Sequence, residues 1–123
     1  MKRNRILVVE DEESLLKLES ILLSSKGYSV TGVMDGRAAL DEVKANRPDL
    51  VILDIMLPEM DGFEVCRRIK DDPELRHIPV LILTAKKNCQ DLDRGQVAGC
   101  DAYITKPFKS AMVLDKVQEL LNR

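Results

Sequence analysis

Five short apolar runs, each parted from the next by a stretch with helical spacing, fix what this chain can fold into. The runs are Ile6–Val9, Tyr28–Val33, Leu50–Leu53, Val80–Leu83 and Ala102–Ile104. Runs of this length, rich in β-branched residues, read as strands. Alternating β and α units imply a mostly parallel sheet with helices on both faces. Ile6–Val9, Leu50–Leu53 and Val80–Leu83 are apolar without interruption, so both their faces are expected to be covered and they belong in the middle of the sheet. Tyr28-Ser29-Val30-Thr31 alternates and the last run is short, which suits edge strands. The expected class is α/β: a three-layer, doubly wound (βα)5 fold with five parallel strands in the order 2-1-3-4-5.

The helix punctuation agrees with that frame. Gly27 follows the first helix as a C′ residue. Asp35 can cap the second, and Pro48 lies beyond its end. Asp61 with Glu64 gives a capping-box-like start to the third. Asn88 opens a fourth helix that Gly99 ends. Ser110 precedes the fifth, where Val113, Leu114, Val117, Leu120 and Leu121 form an apolar stripe. No linker, repeat or low-complexity tract interrupts the chain, so residues 1–123 are expected to form one domain.

Composition removes several function classes. A chain of 123 residues buries about two-thirds of its unfolded surface and needs no disulfide or metal to fold. The net charge is −2 and no long block of one sign appears, which argues against a direct nucleic-acid-binding surface. Aromatics are 3%, too few for stacking on bases. Cys66, Cys89 and Cys100 show no CxxC spacing and there is one histidine, so a zinc site is not expected and the three read as reduced thiols in or near the core. No apolar run approaches the roughly 20 residues of a membrane span, and the start of the chain meets a strand-sized run rather than a signal-peptide core. The cytoplasm is the expected compartment.

In a doubly wound sheet ligands bind beyond the carboxyl ends of the strands, near the point where strand order reverses. Strand one ends in Glu10-Asp11, strand three in Asp54, strand four in Thr84, and strand five runs into Lys106-Pro107. Carboxylates from strands one and three would be neighbours, and close like charges repel. A hard divalent cation resolves that repulsion, and Mg²⁺ suits it because it takes oxygen ligands and keeps several waters. Asp11, Asp54 and one backbone carbonyl just past Asp54 are the expected inner ligands, with Glu10 acting through a water. Asp54 can then attack phosphorus as a carboxylate nucleophile. Phosphoryl transfer needs charge neutralised and groups positioned more than acid–base help. Mg²⁺ can take one phosphoryl oxygen, Lys106 a second, and the Thr84 hydroxyl a third. Each residue alone would be an ordinary cap or turn; their joint placement at strand ends points to this chemistry.

The chain resembles the receiver domains of bacterial response regulators along essentially its whole length, and with them the flavodoxin-like fold. The resemblance is carried by Ile6-Leu7-Val8-Val9-Glu10-Asp11, Leu53-Asp54-Ile55-Met56-Leu57-Pro58-Glu59-Met60-Asp61-Gly62, Leu83-Thr84-Ala85 and Tyr103-Ile104-Thr105-Lys106-Pro107-Phe108. It implies a two-component phosphorelay protein, phosphorylated on Asp54 by a histidine kinase or histidine phosphotransfer domain. It implies metal binding by Glu10, Asp11, Asp54 and the main-chain carbonyl of Met56, with Mg²⁺ as the cofactor and Mn²⁺ or Ca²⁺ as crystal substitutes. Thr84 and Tyr103 become the switch pair, altering the surface of the fourth helix, fifth strand and fifth helix. Lys106-Pro107 is expected to be a cis peptide. Met56 and Lys86 are expected to tune phosphoryl lifetime, since Met56 offers no side-chain donor to guide an attacking water. His77 reads as a surface loop residue.

Two departures bear on assembly and the site. Where regulators with winged-helix outputs commonly carry two acids before the switch Tyr, this chain has Asp101 and Ala102, so one dimer salt bridge lacks its acid. A monomer or weak dimer is therefore expected. Glu10 replaces the Asp of many members and reaches further. The chain is read as a signalling phosphoacceptor and not as an enzyme. A Mg²⁺-dependent phosphatase of the dehalogenase type would carry an Asp where Met56 stands. A flavin or nucleotide module lacks its phosphate loop here, and a receiver-like module that is never phosphorylated would have lost an acid or Lys106.

Overall fold

The computed structural model describes residues 4–54, 57–84, 99–105 and 110–122. These contain five strands: β1 (Arg5–Val9), β2 (Ser29–Val33), β3 (Leu50–Asp54), β4 (Val80–Thr84) and β5 (Ala102–Thr105). They contain four helices: α1 (Glu13–Ser24), α2 (Gly36–Asn46), α3 (Gly62–Asp71) and α4 (Ser110–Leu121). All neighbouring strands pair in parallel, in the order β2-β1-β3-β4-β5. That is the expected order, with the three unbroken apolar runs in the middle. α4 is the fifth helix of the sequence pattern. The helix expected to open at Asn88 lies outside the described residues, apart from Gly99 at its end, whose φ is +82°.

The alternation of side chains along each strand divides the core in two. Leu7, Val9, Val51, Leu53, Val80 and Ile82 face one side and pack on α2 and α3 through residues such as Leu40, Val43, Phe63 and Ile69. Ile6, Val8, Leu50, Ile52, Leu81 and Leu83 face the other and pack on α1 and α4 through Leu23, Val113, Val117 and Leu120. β1 from Ile6, β3, and β4 as far as Leu83 are buried on both faces, as their unbroken apolar runs require, whereas β2 keeps Ser29, Thr31 and Gly32 exposed at the edge. None of the described helices is long and apolar enough to cross a membrane.

Strands β3, β4 and β5 each run one residue past the apolar run, to Asp54, Thr84 and Thr105. Ladder pairing belongs to the backbone, so a polar residue at the rim still pairs. The caps follow the sequence with one substitution of role. Asp35 Oδ1 accepts from the Ala38 N–H at 2.7 Å, and Asp61 Oδ1 from the Glu64 N–H at 3.0 Å. Glu64 itself is held by Arg68 and Arg67, which keep its carboxyl below the usual range. At the end of α2 the left-handed position is taken by Arg47, φ +44°, and Pro48 after it keeps the helix from continuing. Gly27, φ +92°, lies two residues beyond the α1 cap Ser25 rather than next to the helix.

A second non-glycine residue with positive φ is Glu59, at +65°. The Met60 N–H donates to the Pro58 carbonyl at 2.7 Å, closing a γ-turn over Glu59 in the loop between β3 and α3. Positive φ is unfavourable for a side chain and most so for a β-branched one. Glu59→Gly is expected to stay within about 1 kcal/mol of wild type, with relief of strain offset by backbone entropy. Glu59→Ile should lose about 1–3 kcal/mol. Urea denaturation of the three proteins measures both, and equal stability of the Ile and Gly variants would show the turn to be unstrained.

Candidate functional site

β1 lies between β2 and β3, so the chain leaves β1 toward one side and later returns on the other, opening a crevice above the strand ends. The register pairs Val9 with Leu53. The next residues, Glu10 and Asp54, therefore stand beside each other across one strand spacing of about 4.8 Å. The Glu10 N–H donates to the Val33 carbonyl at 3.1 Å, which extends the β1–β2 ladder and fixes where its side chain starts. Its Oε2 accepts from the Glu12 N–H at 3.3 Å, just ahead of α1.

One carboxylate oxygen from each of Glu10, Asp11 and Asp54 lies within 4.8 Å of the other two. Glu10 is 2% exposed and Asp54 6%, the two buried polar or charged side chains among the described residues, while Asp11 is exposed. Two buried acids and a third at the mouth form an oxygen-only donor set. Hard divalent cations prefer such a set, and the open side leaves room for waters and for a phosphoryl oxygen. The sequence-derived carboxylates are thus brought together.

The other expected residues stand in different relations to this cluster. Thr84 is the last residue of β4, one step beyond the Leu83 that pairs with Asp54, and it pairs with Thr105. Tyr103 pairs with Ile82, is half-buried, and packs against the core cluster on the α2–α3 side. Met56, Lys86, Lys106 and Pro107, and the peptide between the last two, lie outside the described residues. His77 is exposed, as expected for a loop.

Close packing holds the loops of the rim in place. A Cβ on Gly36 would come within 2.9 Å of Val65 Cγ2 and 3.3 Å of the Met60 carbonyl, so only glycine lets α2 begin against the β3–α3 loop. Cys66 on α3 is buried, and burial pushes its thiol up to about 12; burial also raises the half-buried Cys100 thiol. Both remain protonated and unreactive near neutral pH, the state expected of core thiols. Cys89 lies outside the described residues. The sequence reading missed the partners of Asp101: Lys70 on α3 and the Val80 N–H. No local signal links positions so far apart.

The chain belongs to the response regulator receiver domain family, whose model matches residues 6–118. It is 40% identical over 116 residues to the polar-differentiation response regulator DivK of Brucella anthropi, covering 94% of both chains. It is 42% identical over 116 residues to the response regulator PleD of Caulobacter vibrioides, covering 94% of this chain and 26% of PleD. The chain therefore spans about a quarter of PleD but nearly all of DivK. The solved signal receiver domain of a signal transduction histidine kinase from Syntrophus aciditrophicus superposes with a TM-score of 0.92 at 39% identity, over 97% of this chain and 90% of that one. Members of the family are signalling phosphoacceptors that generally bind Mg²⁺ at an acidic pocket and interact with histidine kinases or phosphotransfer proteins.

Proposed function

We propose that residues 1–123 act as one receiver unit in the cytoplasm, taking a phosphoryl group onto Asp54 from a histidine kinase or histidine phosphotransfer domain. The observation that carries this reading is the convergence of Glu10, Asp11 and Asp54, two of them buried, at the crevice end of β1 and β3. Asp11, Asp54 and the Met56 carbonyl are the direct metal ligands, with Glu10 placed to act through a water. Bound there, Mg²⁺ supplies positive charge to one oxygen of the incoming phosphoryl group. The Asp54 carboxylate attacks phosphorus, the bond to the donor breaks, and an acyl phosphate results. Thr84 and Lys106 are assigned the remaining oxygens. The pairing of Thr84 with Thr105, which Lys106 follows directly, supports bringing both to the same rim. Thr84 and Tyr103 form the switch, and Met56 and Lys86 set phosphoryl lifetime. With Met56 in place of a second acid, the chain holds its phosphoryl group as a signal and does not turn over substrate.

Incubation with acetyl phosphate and Mg²⁺, read by intact mass, tests this function: one phosphoryl group is expected, and none would overturn it. Metal binding has its own readout in thermal melting. Free Mg²⁺ at about 100 times its Kd adds about 2.7 kcal/mol to stability, and EDTA removes that gain. Asp11→Asn should lose the Mg²⁺ effect and, in EDTA, melt no lower than wild type, because it removes a like charge from the cluster. An unchanged Mg²⁺ response in Asp11→Asn would take Asp11 out of the ligand set.

A further inference from the structure

A polar cluster at the opposite end of β4 and β5 from the carboxylates takes no part in the chemistry above. Lys70, in the last turn of α3, directs its ammonium at Asp101 Oδ2 and the Ile78 carbonyl, both at 2.7 Å, and at the Arg76 carbonyl at 3.0 Å. An ammonium has three N–H donors, so these bonds account for all of them. Asp101 Oδ2 also accepts from the Val80 N–H at 2.8 Å, and the Asp101 N–H donates to the Val80 carbonyl at 3.0 Å. The two side chains are only 15% and 21% exposed. Gly99 turns the chain with positive φ, and a Cβ there would stand 3.3 Å from Lys70 Cγ. The segment entering β5 is thus tied to the end of α3 and the start of β4 at once.

Asp101 stands two residues before Tyr103. Asp101 lies just before the first residue of β5, and both side chains meet the side of the sheet that α3 covers. Asp101 bonds to Lys70, and Tyr103 packs on the cluster that holds Phe63, Cys66 and Ile69. A shielded ion pair contributes little net stability against an apolar replacement; its best-attested use is to fix register. The Asp101 carboxylate is engaged within the chain.

We propose that Lys70 and Asp101 are positioning residues: a clamp that sets the register and depth of β5 against α3, and so the point from which Tyr103 turns. The inference rests on Tyr103 being the switch residue. The chain has two tyrosines and no tryptophan, so 3-fluorotyrosine in a Tyr28→Phe background gives one ¹⁹F resonance, that of Tyr103. Fluoroberyllate with Mg²⁺ serves as the phosphoryl mimic. In the clamped protein a single resonance should move to a single new position. In Lys70→Met, and separately in Asp101→Asn, which keeps an acceptor for the Val80 N–H, the resting resonance should broaden or split. Its displacement on activation should fall at least twofold. Val117→Ala, on the other face of the sheet, should melt lower yet respond like wild type. If both clamp variants melt lower but keep the two wild-type positions and the full displacement, the pair is merely structural and the proposal fails. A wild-type resonance indifferent to fluoroberyllate overturns the switch reading of Tyr103 and the clamp with it.

Discussion

Asp54→Asn is expected to gain no phosphoryl group under conditions in which wild type gains one, a fall in rate of at least about 100-fold. The substitution keeps the shape of the side chain while removing its nucleophile, since the amide lone pair is delocalised and no stable acyl phosphate can form. The fold should survive. Asp54 ends β3, paired with Leu83 of β4 and one residue beyond the Leu53–Val9 pair with β1, and its carboxylate enters the acid cluster. Replacing one of two buried carboxylates by a neutral amide also removes mutual repulsion. The variant should therefore melt at or above wild type in EDTA while failing to gain mass in Mg²⁺ and acetyl phosphate. Uptake of one phosphoryl group by Asp54→Asn at the wild-type rate would move the acceptor to another residue.

The site was legible because strand ends are legible. Glu10 and Asp54 each stand directly after an unbroken apolar run, with Asp11 next to Glu10, and parallel β–α alternation sends the ends of such runs to the same rim. The runs apolar on both faces put strands one, three and four in the middle, which suits an order that makes one and three neighbours, and the structure has them paired. Less local features did not show. Asp101 shows in the sequence only by its place before Tyr103, and nothing there signals that Lys70, near the C-terminal end of α3, pairs with it. Nor does the sequence show the positive φ of Glu59, which sits in the γ-turn that the Met60 N–H closes on the Pro58 carbonyl. Gly36 likewise looks like an ordinary helix start until Val65 and Met60 are seen pressed against it. Local patterns report periodicity and caps; contacts between distant segments are set by how closely the elements pack.

The sheet that aligns these carboxylates depends on its core, and the second large effect is expected there. Leu53 is 0% exposed and lies in β3 immediately before Asp54, packed in the cluster shared with α2 and α3. Leu53→Ala removes buried methylenes and leaves a cavity in a strand hydrogen-bonded on both sides, which cannot collapse freely. Such changes cost about 2–5 kcal/mol, a large part of the roughly 5–15 kcal/mol that holds a domain together. At roughly 4 °C per kcal/mol for a chain of this size, the melting temperature should fall by about 10–20 °C. Ile21→Ala makes the contrast: Ile21 is 67% exposed on α1, so its truncation should stay within about 0.5 kcal/mol. A Leu53→Ala variant that melts within a few degrees of Ile21→Ala would mean that β3 does not sit at the centre of the sheet. The alignment of Asp54 with Glu10 would then lose its physical basis.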